Sequence, residues 1–182
     1  MSQTNHSGFL ARLLAAAAIA GFATSSASAH ITLENREATI GSSYKAVFVV
    51  PHGCAGAATI KIRVQIPEGV IGVKPMPKPG WNVEAIKGKY AADYDFHGTK
   101  LSEGVKEVVW SGGKLSDDNY DEFVISTFLT NSLKPNTTLY FPTLQECEQG
   151  VSRWIDIPAE GQEGNPRESK WPAPGVKLMP KP

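Results

Sequence analysis

The stretch 44–66, YKAVFVVPHGCAGAATIKIRVQI, shows most clearly how this chain folds. Two runs rich in alternating and β-branched residues flank a segment of Pro, Gly and Ala, which is the pattern of two strands joined by a loop. Similar runs recur along the chain, at His30 to Glu34, Val70 to Lys74, Trp81 to Lys87, Val105 to Trp110, Phe123 to Thr130, Thr137 to Phe141 and Ser152 to Ile157. About nine short strands at this spacing predict an all-β sandwich of immunoglobulin-like or fibronectin-like type.

The segments between these runs are rich in Gly, Pro, Asn and Asp. Turns or loops are predicted at SGGKLSDDN (111–119), NSLKPN (131–136) and ECEQG (146–150), and Tyr90 to Phe96 has room for a turn or two of helix. The sandwich domain is expected to cover residues 30–158. Residues 159–182 are expected to form a Pro/Gly-rich extension, with a last strand near Val176 to Met179.

The overall composition limits the classes of function. Apolar residues make up 41% of the chain, too many for general disorder, and 18 Lys and Arg balance 18 Asp and Glu. Balanced charge indicates neither a polyanion partner nor a membrane-surface patch, so nucleic-acid binding is not expected.

The first 29 residues have the pattern of a secretory signal peptide. Leu13 to Phe22 (LLAAAAIAGF) is an apolar run too short to span a bilayer, and Ala27-Ser28-Ala29 fits the A-x-A cleavage rule. Cleavage is predicted between Ala29 and His30. The leader carries no lipobox cysteine, so the mature protein is expected free in the periplasm or outside the cell, without a membrane span.

The chain has two cysteines, Cys54 and Cys147. An even number of cysteines in an exported chain predicts a disulfide, here joining an early strand to a late one. The alternative is a pair of copper thiolates, which an oxidising compartment disfavours.

Motifs of catalysis are absent from the sequence. It contains no G-x-S-x-G, no H-E-x-x-H and no Gly-rich phosphate loop. After the leader it has three histidines, His30, His52 and His97, and a His₃ zinc site would require all of them to converge. The protein is therefore not expected to be an enzyme.

His30 differs from the other histidines because cleavage would place its imidazole beside a free α-amine. The amine nitrogen and Nδ1 can then close a chelate ring on one metal ion. Both groups release a proton near neutral pH, with ordinary pKa values of about 7.7 to 8.0 and about 6.5. Nitrogen donors in a tetragonal arrangement suit Cu(II). The alternative is an ordinary exposed first residue, and a metal site would need at least one further ligand.

Several motifs, taken in order, resemble those of a known family. They are H-I-T-L-E at 30–34, V-P-H-G-C at 50–54, P-x-P-x-P-G-W at 75–81, V-V-W-S-G-G at 108–113, D-E-F at 121–123 and C-E-Q-G-V-S-R-W at 147–154. Together they resemble the YcnI-like family (DUF1775) of exported bacterial copper-binding proteins. The resemblance implies a β-sandwich and a monohistidine brace, in which the N-terminal amine and imidazole bind Cu(II) with help from one glutamate and a nearby tryptophan.

Carried onto this sequence, the resemblance makes His30 the brace histidine. Glu122 in D-E-F is chosen as the carboxylate, with Glu34 and Glu146 as alternatives; the competing interpretation of Glu122 is a solvated acid at the edge of a strand. Trp154 is chosen as the tryptophan near the metal, with Trp110 as the alternative; a buried tryptophan is more often core packing. Trp81 is interpreted as a structural plug beside a turn, and Trp171 lies outside the matching motifs.

The resemblance leads to one function and leaves two alternatives. A copper carrier or metallochaperone is expected, exchanging Cu(II) with another periplasmic or membrane copper-handling protein. An oxidative copper enzyme of the lytic polysaccharide monooxygenase type would need a second histidine, and His52 is instead interpreted as structural or exposed. The other alternative is an interaction sandwich without metal.

Overall fold

The structure is a computed structural model that describes residues 30–159 and 169–182. The predicted signal peptide lies outside the described residues. Every regular element of the described part is a β-strand. In chain order they are β1 (Thr32–Leu33), β2 (Glu37–Thr39), β3 (Ser42–Val50), β4 (Thr59–Gln65), β5 (Val70–Pro75), β6 (Asn82–Phe96), β7 (Thr99–Leu115), β8 (Asp121–Leu129), β9 (Thr138–Tyr140), β10 (Thr143–Cys147), β11 (Val151–Trp154) and β12 (Gly175–Met179).

The strands form two main sheets and a small third one. The first main sheet has the order β1-β3-β8-β5 and the second β11-β10-β4-β7-β6, while β2-β12-β9 forms the small sheet. Side chains from both main sheets meet in one apolar core. The all-β sandwich predicted from the sequence is therefore confirmed.

Alternation along each strand determines which side chains enter the core. On β4, Ile62 and Val64 are fully buried, whereas Lys61 and Arg63 on the opposite face form ion pairs with carboxylates. Phe123 on β8 is fully buried as well. Each large apolar side chain removed from water in this way contributes roughly 1.5 to 3 kcal/mol to folding.

Three segments differ from the sequence expectation. The first two residues of ECEQG, Glu146 and Cys147, are the end of β10 rather than part of a turn. The sequence did not indicate this strand because two of its inward-facing residues, Thr143 and Gln145, are polar. Residues 90–96 continue β6 as strand, with an irregular register between Lys89 and Tyr94. SGGKL at 111–115 is the end of β7 rather than a turn.

The expected last strand is present as β12. It pairs in parallel with β2 and antiparallel with β9, and its Val176 and Leu178 are buried in the core. The folded unit therefore continues to Met179, past the boundary at residue 158 that the composition suggested.

The expected disulfide joins Cys54 and Cys147, with the two Cα atoms 5.9 Å apart. It ties the loop after β3 to the end of β10. None of the described segments forms a helix with the length and apolar character of a membrane span.

Candidate metal centre

His30 lies at the end of the sandwich where β3 leads into the V-P-H-G-C loop. β1 pairs antiparallel with β3, and Thr32 stands opposite Val49. Continuing this register by two residues places His30 beside Pro51. Ile31 and Leu33 are buried in the core, whereas His30 itself is half-buried. The imidazole is therefore anchored through its neighbour but remains reachable from solvent.

Trp154 is the aromatic neighbour of His30. The two ring centroids are 5.6 Å apart and the ring planes meet at 70°. Trp154 is 2% exposed and also packs edge-on against Trp171, with the centroids 5.0 Å apart. The structure thus brings Trp154 to His30, as the family resemblance implied, and adds Trp171 behind it.

Gln145 connects Trp154 to the V-P-H-G-C loop. Its Oε1 accepts a hydrogen bond from Nε1 of Trp154 at 3.0 Å, and its Nε2 donates to the carbonyl oxygen of His52 at 2.7 Å and to Oγ1 of Thr59 at 2.8 Å. The side chain is 1% exposed. Sequence reasoning missed Gln145; the available signal was a glutamine two residues before a cysteine, on the same face of the strand.

The Cys54–Cys147 disulfide also holds the V-P-H-G-C loop. Cys54 follows His52 by two residues, and Cys147 follows Gln145 by two residues. The amide of Gly53 also donates to Oδ1 of Asp117 at 2.9 Å. The backbone of the loop beside His30 is therefore held by three separate contacts.

The protonation of His30 also bears on metal binding. Burial lowers the pKa of its imidazole below the ordinary value of 6.5, and the nearby His52 lowers it further. A lowered pKa favours the neutral ring at neutral pH. The neutral ring is the form in which this nitrogen has a lone pair for a metal ion.

Glu122 lies on β8 and is exposed. It stands opposite Val49, which in turn stands opposite Thr32, so Glu122 is two strand spacings, roughly 10 Å, from β1. The carbonyl oxygen of Glu122 accepts a hydrogen bond from Nζ of Lys78 at 3.0 Å. Its row in the sheet is that of Thr32 rather than of His30, and its role as a ligand stays a prediction.

The two alternative carboxylates lie elsewhere. Glu34 follows His30 by four residues along an extended chain, a distance of roughly 13 Å, and its amide donates to the carbonyl of Val47. Glu146 is on β10, where its carboxylate is 3.1 Å from Nζ of Lys61 and 4.0 Å from Nη1 of Arg63. The carboxylate of Glu146 is therefore engaged in ion pairs with the charged side chains of β4.

The remaining aromatic candidates have structural surroundings. Trp110 is fully buried, and its ring lies 5.4 Å from that of Phe123. Trp81 packs on Phe123 at 5.0 Å and serves as the plug predicted from P-G-W. His97 lies in the β6–β7 turn, 5.8 Å from the ring of Phe128.

Within residues 30–159 and 169–182, no three His, Cys, Asp or Glu side chains come together as a group that could hold a metal ion. A metal site at His30 therefore needs a ligand other than these side chains. The α-amine that cleavage would create is such a ligand, because it shares a chelate ring with Nδ1 of His30.

Comparisons with known proteins agree with this fold. A family model described as "Domain of unknown function (DUF1775)" matches residues 30–178. The chain is also similar to an uncharacterized protein from Nocardia farcinica, whose crystal structure is described as revealing an immunoglobulin-like fold; the TM-score is 0.60 and the identity 23%, over 82% of this chain and 98% of that chain. This likeness bears on the fold alone and confirms its immunoglobulin-like character. A comparison with curated proteins found no match.

Proposed function

The chain belongs to the DUF1775 family, and from this premise we propose that it is an exported protein that binds copper(II) and carries it in copper homeostasis. The observation that carries the proposal is the position of His30. It is half-buried at one end of the sandwich, in edge-to-face contact with the buried Trp154. Signal-peptide cleavage before His30 would add the α-amine to this position.

The chemistry of the donors supports copper(II) rather than a harder ion. An amine and a neutral imidazole are nitrogen donors, which Cu(II) prefers and which Mg²⁺ and Ca²⁺ do not. The aromatic ring of Trp154 on one side limits access of water to the position. These features fit a Cu(II) ion held by few protein ligands.

A carrier role is favoured over tight storage by the exposure of the position. His30 lies at the surface end of the sandwich and not in a closed cavity. An ion held there stays within reach of an acceptor protein, so that one ligand can be exchanged at a time. The expected partner is another exported or membrane-bound copper-handling protein.

The test compares two forms of the protein that both begin at His30. One has a free α-amine, and in the other this amine is acetylated, which removes one donor and leaves the fold and the imidazole intact. We expect the free form to bind Cu(II) at micromolar concentration or below, measured by competition with a chelator of known affinity. Acetylation is expected to weaken binding by about tenfold or more.

Thermal unfolding of both forms without copper is the control, because the two curves should coincide. Equal affinity of the two forms would contradict the amine chelate. Failure of the free form to bind Cu(II) at micromolar concentration would contradict the copper function itself.

A further inference from the structure

We propose that Trp171 is a positioning residue of the copper site, whose ring holds the indole of Trp154 against the imidazole of His30. The inference rests on the proposed copper function and deepens it. It also gives a role in the site to the C-terminal segment 169–173, which lies outside the motifs that carry the family resemblance.

Three aromatic rings meet edge to face at the position of His30. The ring centroid of Trp154 is 5.6 Å from that of His30, with the planes at 70°. On another side it is 5.0 Å from the centroid of Trp171, with the planes at 67°. Edge-to-face pairs are directional, because the positive edge of one ring meets the negative face of the other. Trp171 therefore limits the orientations that the Trp154 ring can adopt beside His30.

The hydrogen bond of Trp154 fixes only one point of its indole. Nε1 donates to Oε1 of Gln145 at 3.0 Å. One such bond sets the position of one nitrogen but leaves the ring free to tilt about it. A second contact is needed to set the tilt, and the ring of Trp171 supplies one.

Asp156 fixes the segment around Trp171 by three hydrogen bonds, and it follows Trp154 by only two residues. Its amide donates to the carbonyl oxygen of Trp171, and its carbonyl oxygen accepts from the amide of Ala173, both at 2.9 Å. Its Oδ2 accepts from Oγ of Ser169 at 2.6 Å, and this Oγ accepts from the amide of Trp171 at 3.1 Å. The backbone of Trp171 is thus tied at both its amide and its carbonyl to the chain that follows Trp154.

Attachment of the C-terminal strand does not require the indole of Trp171. β12 pairs with β2 and β9, and its Val176 and Leu178 are buried in the core. A tryptophan that serves packing alone is typically buried, as Trp110 is, whereas Trp171 is half-buried. What its ring adds is the contact with Trp154.

The test substitutes Trp171→Leu and Trp171→Phe in the form that begins at His30 with a free α-amine. Leucine keeps an apolar side chain at this position but has no ring, whereas phenylalanine can still meet Trp154 edge to face. A further variant, Ser169→Ala, removes two hydrogen bonds of the segment and leaves every ring in place.

The matched control is Phe96→Leu. Phe96 is also half-buried and forms an edge-to-face pair, with Phe128 at 5.5 Å. Phe128 stands opposite Ser43, at the end of β3 away from the V-P-H-G-C loop. The control therefore removes a comparable ring contact far from His30.

Two properties of each protein are measured: the Cu(II) dissociation constant, by competition with a chelator, and the electron paramagnetic resonance spectrum of bound Cu(II), which reports the ligand geometry. Trp171→Leu should bind Cu(II) about three- to tenfold more weakly, the range that loss of one edge-to-face pair allows. Its spectrum should broaden, because the imidazole of His30 is held less firmly. Ser169→Ala should change both properties in the same direction, while Trp171→Phe and Phe96→Leu should resemble the unaltered protein.

Thermal unfolding without copper checks that every variant is folded, and a residue needed only for packing would change this measurement alone. If the unaltered protein binds Cu(II), and Trp171→Leu and Ser169→Ala match it in affinity and spectrum, the inference is overturned while the copper function stands. If Phe96→Leu weakens binding as much as Trp171→Leu, the effect is one of general stability and the inference is wrong. If the unaltered protein does not bind Cu(II), both the copper function and the inference fail.

Discussion

Gln145 offers the most direct test of how the buried network supports the candidate site. In Gln145→Leu, a side chain of similar size replaces the amide, so that packing is largely kept while three hydrogen bonds are lost. The change leaves the carbonyl of His52, the hydroxyl of Thr59 and the indole N–H of Trp154 without this partner. Of these groups, the indole of Trp154 contacts His30 directly.

The magnitude follows from these three groups. A buried polar group left without a partner costs about 1 to 3 kcal/mol, and the hydroxyl of Thr59 can rotate toward Sγ of Cys147, 3.8 Å away. The buried leucine returns about 1 to 2 kcal/mol of apolar transfer energy. With the two other groups unsatisfied, the free energy of unfolding should therefore fall by about 1 to 4 kcal/mol.

The assay is equilibrium unfolding in urea, followed by tryptophan fluorescence, with a linear extrapolation to water. The matched control is Gln65→Leu, the same substitution at the exposed end of β4, which should change stability by less than about 0.5 kcal/mol. The Cu(II) affinity of folded Gln145→Leu should also fall, because Trp154, which contacts His30, loses its hydrogen bond to Gln145. Equal midpoints for Gln145→Leu and the unaltered protein would refute the reasoning.

Two further predictions concern the frame of the sandwich. Replacing both Cys54 and Cys147 by Ala should lower the free energy of unfolding by about 4 to 5 kcal/mol, because the bridge closes a loop of 93 residues; a loss below 1 kcal/mol in urea unfolding would argue against this. Gly113→Ala should cost about 1 to 3 kcal/mol, since a Cβ there would meet the rigid ring of Trp81. Gly88→Ala, which meets only the flexible Lys106 side chain, is its control in the same measurement and should cost clearly less.

The fold was largely predictable because its core strands follow simple alternation. Ile62 and Val64 on β4 show it, with charged residues between them. β10 was missed because its inward positions include Thr143 and Gln145, which are polar. Thr143 donates to the nearby carbonyl of Phe141, whereas Gln145 is satisfied by Thr59, Trp154 and the carbonyl of His52. No local pattern can reveal the partners His52 and Thr59, which lie 93 and 86 residues from Gln145 along the chain.

The candidate site was predictable only in part, because some of its contacts also join residues that are distant in the sequence. His30 could be identified as a candidate ligand from the predicted cleavage site alone, whereas Trp154 was chosen from the family resemblance. The link from Trp154 through Gln145 to the His52 carbonyl joins distant parts of the chain, which a single sequence does not specify. The carboxylate chosen from the resemblance, Glu122, lies two strands from β1, and its role awaits a test.

The first four residues after the predicted cleavage site show how this fold can present a terminal ligand. Chain ends fray unless they are tied down, and a frayed end would lose entropy on binding a metal. Here Ile31 and Leu33 are buried in the core, and β1 (Thr32–Leu33) pairs with β3. The entropy of ordering His30 is thus largely lost on folding, so the proposed amine and imidazole ligands would already be held in place when an ion binds. A terminal residue can then be a specific ligand without a closed cavity around it, which is what a carrier that must release its ion requires.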